Sequence, residues 1–190
     1  MRIAGLFAIV FELAMGISVS RADEPVSGPK VDEVAGGFEM EVATGDDAGK
    51  TVDPIKPLKD KPVLVIFVSE MNRPGFGLLK LLDKYGRLRQ PEGLEVLIVR
   101  LSDDAAGAAK HAKILYDLYD VKSTAGVATG GKAGPKDYNL NEEALMTVLL
   151  VDKEHKVLMN MARRAPDRQD FDEVRKAIDK LLGPSPVAFP

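Results

Sequence analysis

The chain has 190 residues, a formal net charge of −3, 45% hydrophobic and 29% charged residues, and no cysteine. That length suits one domain with a full hydrophobic core, and so mild an acidic balance leaves no electrostatic footprint for nucleic acid or an anionic membrane surface. Without cysteine there is no disulfide, and no reaction that begins from a thiolate of this chain.

Residues 1–22 read as a processing segment, a signal peptide. Arg2 gives a short positive start, residues 3–19 are mostly apolar, and Ser20-Arg21-Ala22 offers small residues at the two positions a signal peptidase reads. Cleavage after Ala22 is expected, so the protein is expected to be exported, either periplasmic or secreted. Glu12 inside the apolar run suits a removed signal better than a permanent span, and no later stretch approaches the ~20 apolar residues of a transmembrane helix. Residues 23–35, rich in Pro, Gly and charge, read as a flexible lead-in.

Residues 38–42 alternate apolar and acidic side chains, as a half-buried strand does. Residues 45–50 form a turn, with Thr51 and Val52 pairing back. The unbroken apolar run 63–68 is typical of a strand covered on both faces. Pro74 suits the first turn of a helix, which would carry Phe76, Leu79, Leu82 and Tyr85 inward. A second buried strand follows at 94–101. Ser102, Asp103 and Asp104 are candidate caps for an Ala-rich helix ending at Tyr119. Residues 120–141 are glycine-rich and irregular and predict a long loop. A third buried strand at 145–151 turns through 152–155, where His155 tolerates positive φ, into a strand at 156–161 with Val157, Met159 and Met161 on one face. Asp170 and Glu173 form a plausible capping box for a last helix carrying Phe171, Val174, Ile178 and Leu181. Gly183 would stop it, leaving 184–190 as a disordered tail. This order predicts an α/β protein with a mixed sheet covered by helices: a right-handed parallel crossover followed by an antiparallel hairpin.

The run 63–76 (VLVIFVSEMNRPGF), the lead-in Gly49-Lys50-Thr51-Val52 with residues 58–62, and the later stretch 147–153 followed by Lys156-Val157 together resemble the thioredoxin-like superfamily, in its redoxin and peroxiredoxin-related branch. The resemblance covers roughly residues 36–182. It implies a thioredoxin-like three-layer fold for a domain at 36–183, a mixed central sheet flanked by helices. It also implies a Cys-x-x-Cys pair where the first core strand meets its helix. Here those positions fall on Asn72 and Gly75, while the proline before the second persists as Pro74. The family's cis-proline position matches Met146, where a cis bond would cost ~2.5–4 kcal/mol, so trans is expected. Ser69 stands where the peroxidase version has a peroxide-holding threonine, without a sulfur to assist. The resemblance therefore carries neither disulfide exchange nor thiol peroxidase chemistry here, and it assigns no catalytic residue and no cofactor.

Binding at the same rim is the expectation that remains. Ser69, Asn72, Arg73, Pro74, Gly75 and Met146 would line it, with Arg73 and the amides of the helix start offering a weak anion site. The 122–141 loop would hang over it. The bland alternative is that Arg73 is a solvated charge and the loop a tolerated insertion. The partner would be an unknown protein or a small anionic ligand, not nucleic acid and not a membrane once the signal is removed. The competing class is an enzyme on this scaffold with non-thiol chemistry. Other motifs carry less. Residues 126–133 nearly spell a phosphate-binding loop, but Ala133 replaces the magnesium-holding hydroxyl, no strand is expected before it, and Pro135 follows. His111 and His155 are too far apart in sequence to suggest a metal site. Met159 and Met161 fit core packing better than copper. Asp103-Asp104 and Glu142-Glu143 fit helix capping, and no Gly-x-Ser-x-Gly elbow appears.

Overall fold

A computed structural model describes residues 24–189; the signal segment expected at 1–22 lies outside the described residues. The elements run β1 (Met40–Val42), β2 (Thr51–Val52), β3 (Val63–Val68), α1 (Arg73–Arg89), β4 (Glu95–Arg100), α2 (Ala105–Tyr119), β5 (Thr124–Ala128), β6 (Met146–Val151), β7 (Val157–Arg163) and α3 (Phe171–Leu182). They form one mixed sheet of order β2-β1-β5-β4-β3-β6-β7. β3, β4 and β5 are parallel, and β6, β7, β1 and β2 are each antiparallel to the neighbour they extend.

β3, β4 and β5 follow one another in a single direction across the sheet. Two right-handed crossovers of that kind put their helices on the same face, and α1 and α2 duly share one core with α3. Alternate residues of β3 divide between the layers. Leu64, Ile66 and Val68 face the helices, and Val63, Val65 and Phe67 face a second core. That second core has no long helix over it. It is closed by Ala35, Phe38, Ile55 and Tyr138, from irregular chain and single 3-10 turns.

Several expectations are corrected. Residues 124–128, read as loop, are a strand between β1 and β4. Their small residues carry no strand pattern; a close approach makes the strand, since a Cβ on Gly126 would stand 2.3 Å from the Glu41 carbonyl oxygen. A bulge between Leu150 and Val151 pairs Leu150 with Met159 but Val151 with Val157. Val157 therefore joins the second core, while Met159 and Met161 join the helix side. The capping box lies one turn before the expected place, between Asp167 and Asp170; Asp170 and Glu173 instead hold Arg163 at 2.8 and 2.5 Å. The lead-in runs along β7, where Asp32 and Ala35 donate amides to the Val157 and His155 carbonyls and Ser27 Oγ lies 2.8 Å from Thr147 Oγ1. Phe189, in the expected free tail, packs on Tyr85 and Phe171 with ring centroids 5.0 and 5.2 Å away. His155 has φ +61°, as its turn position predicts.

Candidate functional site

The corner between β3 and α1 is built by the residues the sequence singles out. Ser69 ties β3 to the chain entering β6, its amide donating to the Leu145 carbonyl (3.1 Å) and its hydroxyl to that of Ala144 (2.8 Å). Asn72 is the N-cap of α1, and its Oδ1 accepts from the Gly75 amide at 2.7 Å. Its carbonyl accepts from the Phe76 amide at 2.9 Å. Pro74 has no N–H to offer. Of the amides that open the helix, that of Arg73 alone is left for a ligand, so the expected anion site loses most of its donors to the cap itself.

Gly75, the second sulfur position, is closed. A Cβ there would meet Pro166 Cγ and Asn72 Oδ1, each at 2.9 Å. Pro166 belongs to the connection between β7 and α3, which packs against the start of α1. Met146 pairs with Val68 across the β3–β6 ladder, its preceding peptide trans, and at 1% exposure it lies in the helix-side core, not on a rim. Asn72, Arg73 and Pro74 are exposed, and Ser69 is half-buried. The structure thus brings Ser69, Asn72, Pro74 and Gly75 to one corner beside Met146, with their polar atoms largely engaged in holding it.

The stretch after β5 does not overhang this corner. Its body covers the helix-free face, where the Tyr138 ring packs 5.4 Å from that of Phe38 and 5.3 Å from that of Phe67, and the Tyr138 hydroxyl donates to the Gly36 carbonyl. Contrary to expectation a strand meets the phosphate-loop look-alike, but β5 takes up its first three residues, 126–128. Residues Gly131–Ala133 nonetheless form a 3-10 turn whose Lys132 amide donates to the Asp103 carboxylate at 3.0 Å, a poor neighbour for phosphate.

Beside the corner lies a feature that the sequence reading missed. A cavity of about 110 Å³ opens between α1 and α2, lined by Met71, Phe76, Arg100, His111, Ala112, Leu115 and Tyr116. Arg100 ends β4, at the carboxyl edge of the parallel strands where open α/β sheets place their ligand crevices. Burial lowers its pKa from the ordinary value, with Tyr116 and Glu70 acting the other way. Tyr116 is 2% exposed, and burial pushes its hydroxyl up to about 12. The one available signal was an arginine directly after four apolar residues of a buried strand. Among the described residues, no group of three or more His, Cys, Asp or Glu could hold a metal ion, and no helix is long and apolar enough to cross a membrane.

No known family profile matches the chain, and no curated protein sequence does. Solved structures do. A protein of Chlorobium tepidum assigned as the thiol:disulfide interchange protein DsbE superposes with a TM-score of 0.64 at 19% identity, over 81% of this chain and 99% of that one. The reduced 2-Cys peroxiredoxin of Plasmodium vivax gives 0.62 at 20%, over 80% and 83%. A DsbF homologue of Corynebacterium diphtheriae gives 0.57 at 15%, over 93% and 99%. Identities this low speak for the fold alone. The protein has the thioredoxin-like fold, with an asparagine cap and a sterically closed glycine at the corner where the sequence resemblance puts the thiol positions.

Proposed function

We propose that this protein is an exported binding module on a thioredoxin-like scaffold, without thiol chemistry, whose ligand is received beside the β3–α1 corner. The supporting observation is the state of that corner. The Asn72 carboxamide caps the helix at the first sulfur position, and Pro166 fills the space a second side chain would need at Gly75. Disulfide exchange requires a thiolate attacking sulfur, and the chain has no sulfur beyond methionine. Export rests on residues 1–22, and the ligand is a small anion or a protein segment that carries one.

The purified protein is expected to show no insulin reduction and no peroxide consumption above buffer. Turnover in either assay, in metal-free and thiol-free preparations, would overturn the non-catalytic reading. Export is tested by the N-terminus of the protein recovered from outside the cytoplasm. Asp23 is the expected first residue, and an intact Met1 in the cytoplasmic fraction alone would remove the export claim.

A further inference from the structure

Two polar groups lining the α1–α2 cleft make no hydrogen bond to a described residue. Arg100 makes no hydrogen bond and no ion pair with any described residue, whereas Arg87, Arg89 and Arg163 each hold a carboxylate. A guanidinium half-withdrawn from water without a hydrogen-bonded counter-charge is costly. Tyr116 buries its ring, while its hydroxyl makes no hydrogen bond to a described residue and keeps contact with solvent at the cleft. One permanent cation and one hydroxyl donor side by side complement a group that is anionic and accepts at two atoms.

The rest of the wall sets the body of the ligand. Met71, Phe76, Ala112 and Leu115 are apolar, and about 110 Å³ admits only a small carbon skeleton. Arg100 sets its charge: with no ion pair to a described residue, it presents one positive charge to the cleft, which a single negative charge on the ligand matches. We propose that this cleft binds a small organic monocarboxylate, aryl or branched alkyl. Arg100 and Tyr116 hold its carboxylate, and its apolar body lies against Met71 and Phe76. The proposal rests on the binding reading above and names its site and ligand class.

The test is a titration of the ¹⁵N-labelled full chain with benzoate, benzamide and inorganic phosphate. Benzoate is expected to give saturable shifts clustered at residues 71–76, 100 and 111–116. The uncharged benzamide should bind at least about tenfold more weakly, and phosphate should not saturate. Arg100→Gln should weaken benzoate by about tenfold and Tyr116→Phe by about threefold, with Arg100→Lys falling between because it keeps the charge and loses the fork. The benzoate–benzamide contrast on the unaltered chain keeps the proposal falsifiable if a variant fails to fold. Equal binding of benzoate and benzamide, no saturation by benzoate, or shifts centred elsewhere would each overturn the site while leaving the absence of thiol turnover untouched. Turnover in the thiol assays would instead strike the reading beneath it.

Discussion

Replacing Gly75 by alanine asks whether the second sulfur position is closed. Within a helix this exchange gains up to about 1 kcal/mol of propensity. Here the new Cβ stands 2.9 Å from Pro166 Cγ and 2.9 Å from Asn72 Oδ1. Overpacking of that kind costs about 1–3 kcal/mol. If Asn72 swings aside instead, the cap is lost, again at about 1 kcal/mol. The expected balance is a net loss of up to about 2 kcal/mol. Pro166→Ala removes the offending Cγ, so Gly75→Ala in that background should cost at least about 1 kcal/mol less, a coupling that a double-mutant cycle isolates. Urea unfolding of the four proteins, followed by far-ultraviolet circular dichroism at constant slope, measures it. If Gly75→Ala stabilises the protein equally in both backgrounds, Pro166 does not close the corner and the argument from it fails. The same geometry ranks a constructive experiment: Asn72→Cys with Gly75→Cys should oxidise to a disulfide more readily with Pro166→Ala than with Pro166 in place, since the pair needs specific Cβ spacing.

Three further outcomes follow from the same structure. Asn72→Ala removes the acceptor for the Gly75 amide and should lower stability by about 1 kcal/mol in urea, whereas Asn72→Asp should retain it. Arg89, fully buried and bonded to Glu92, Asp179, the Tyr85 hydroxyl and the Gly183 carbonyl, should cost about 3 kcal/mol as Arg89→Met, because two carboxylates lose their cation. Alkali should destabilise the fold. Burial raises Tyr116 from 10.0 to about 12 and raises Tyr138 as well. The unfolded tyrosines then release protons that the native state keeps, so stability present below pH 10 falls as pH rises toward 12, by about 1.4 kcal/mol per pH unit for each tyrosine. Tyr116→Phe should flatten that slope in pH-dependent unfolding, and an unchanged slope would refute its assignment.

The closed corner and the open cleft lie next to each other, the corner at the positions that the sequence resemblance assigns to thiols. The α1 N-terminus spends the Gly75 and Phe76 amides on Asn72, whereas the neighbouring crevice presents a cation and a hydroxyl that bond to no described residue. The proposed ligand is therefore received in the crevice and not at the rim that the sequence resemblance favours.

What the chain determined unaided are features whose cause is local. The apolar run 63–68 is typical of a strand buried on both faces, Pro74 suits the first turn of a helix, and the absence of cysteine closed thiol chemistry outright. Tertiary structure alone decided the rest. β5 became a strand because β1 approaches Gly126 closely, and Val157 changed faces at a bulge. Asp170 was drawn toward Arg163, and Phe189 docked on Tyr85. Whether Arg100 finds a carboxylate depends on segments far apart in the chain coming within a few ångströms of one another. No window of sequence contains that distance, because side chains compete for partners only after helices and strands have packed.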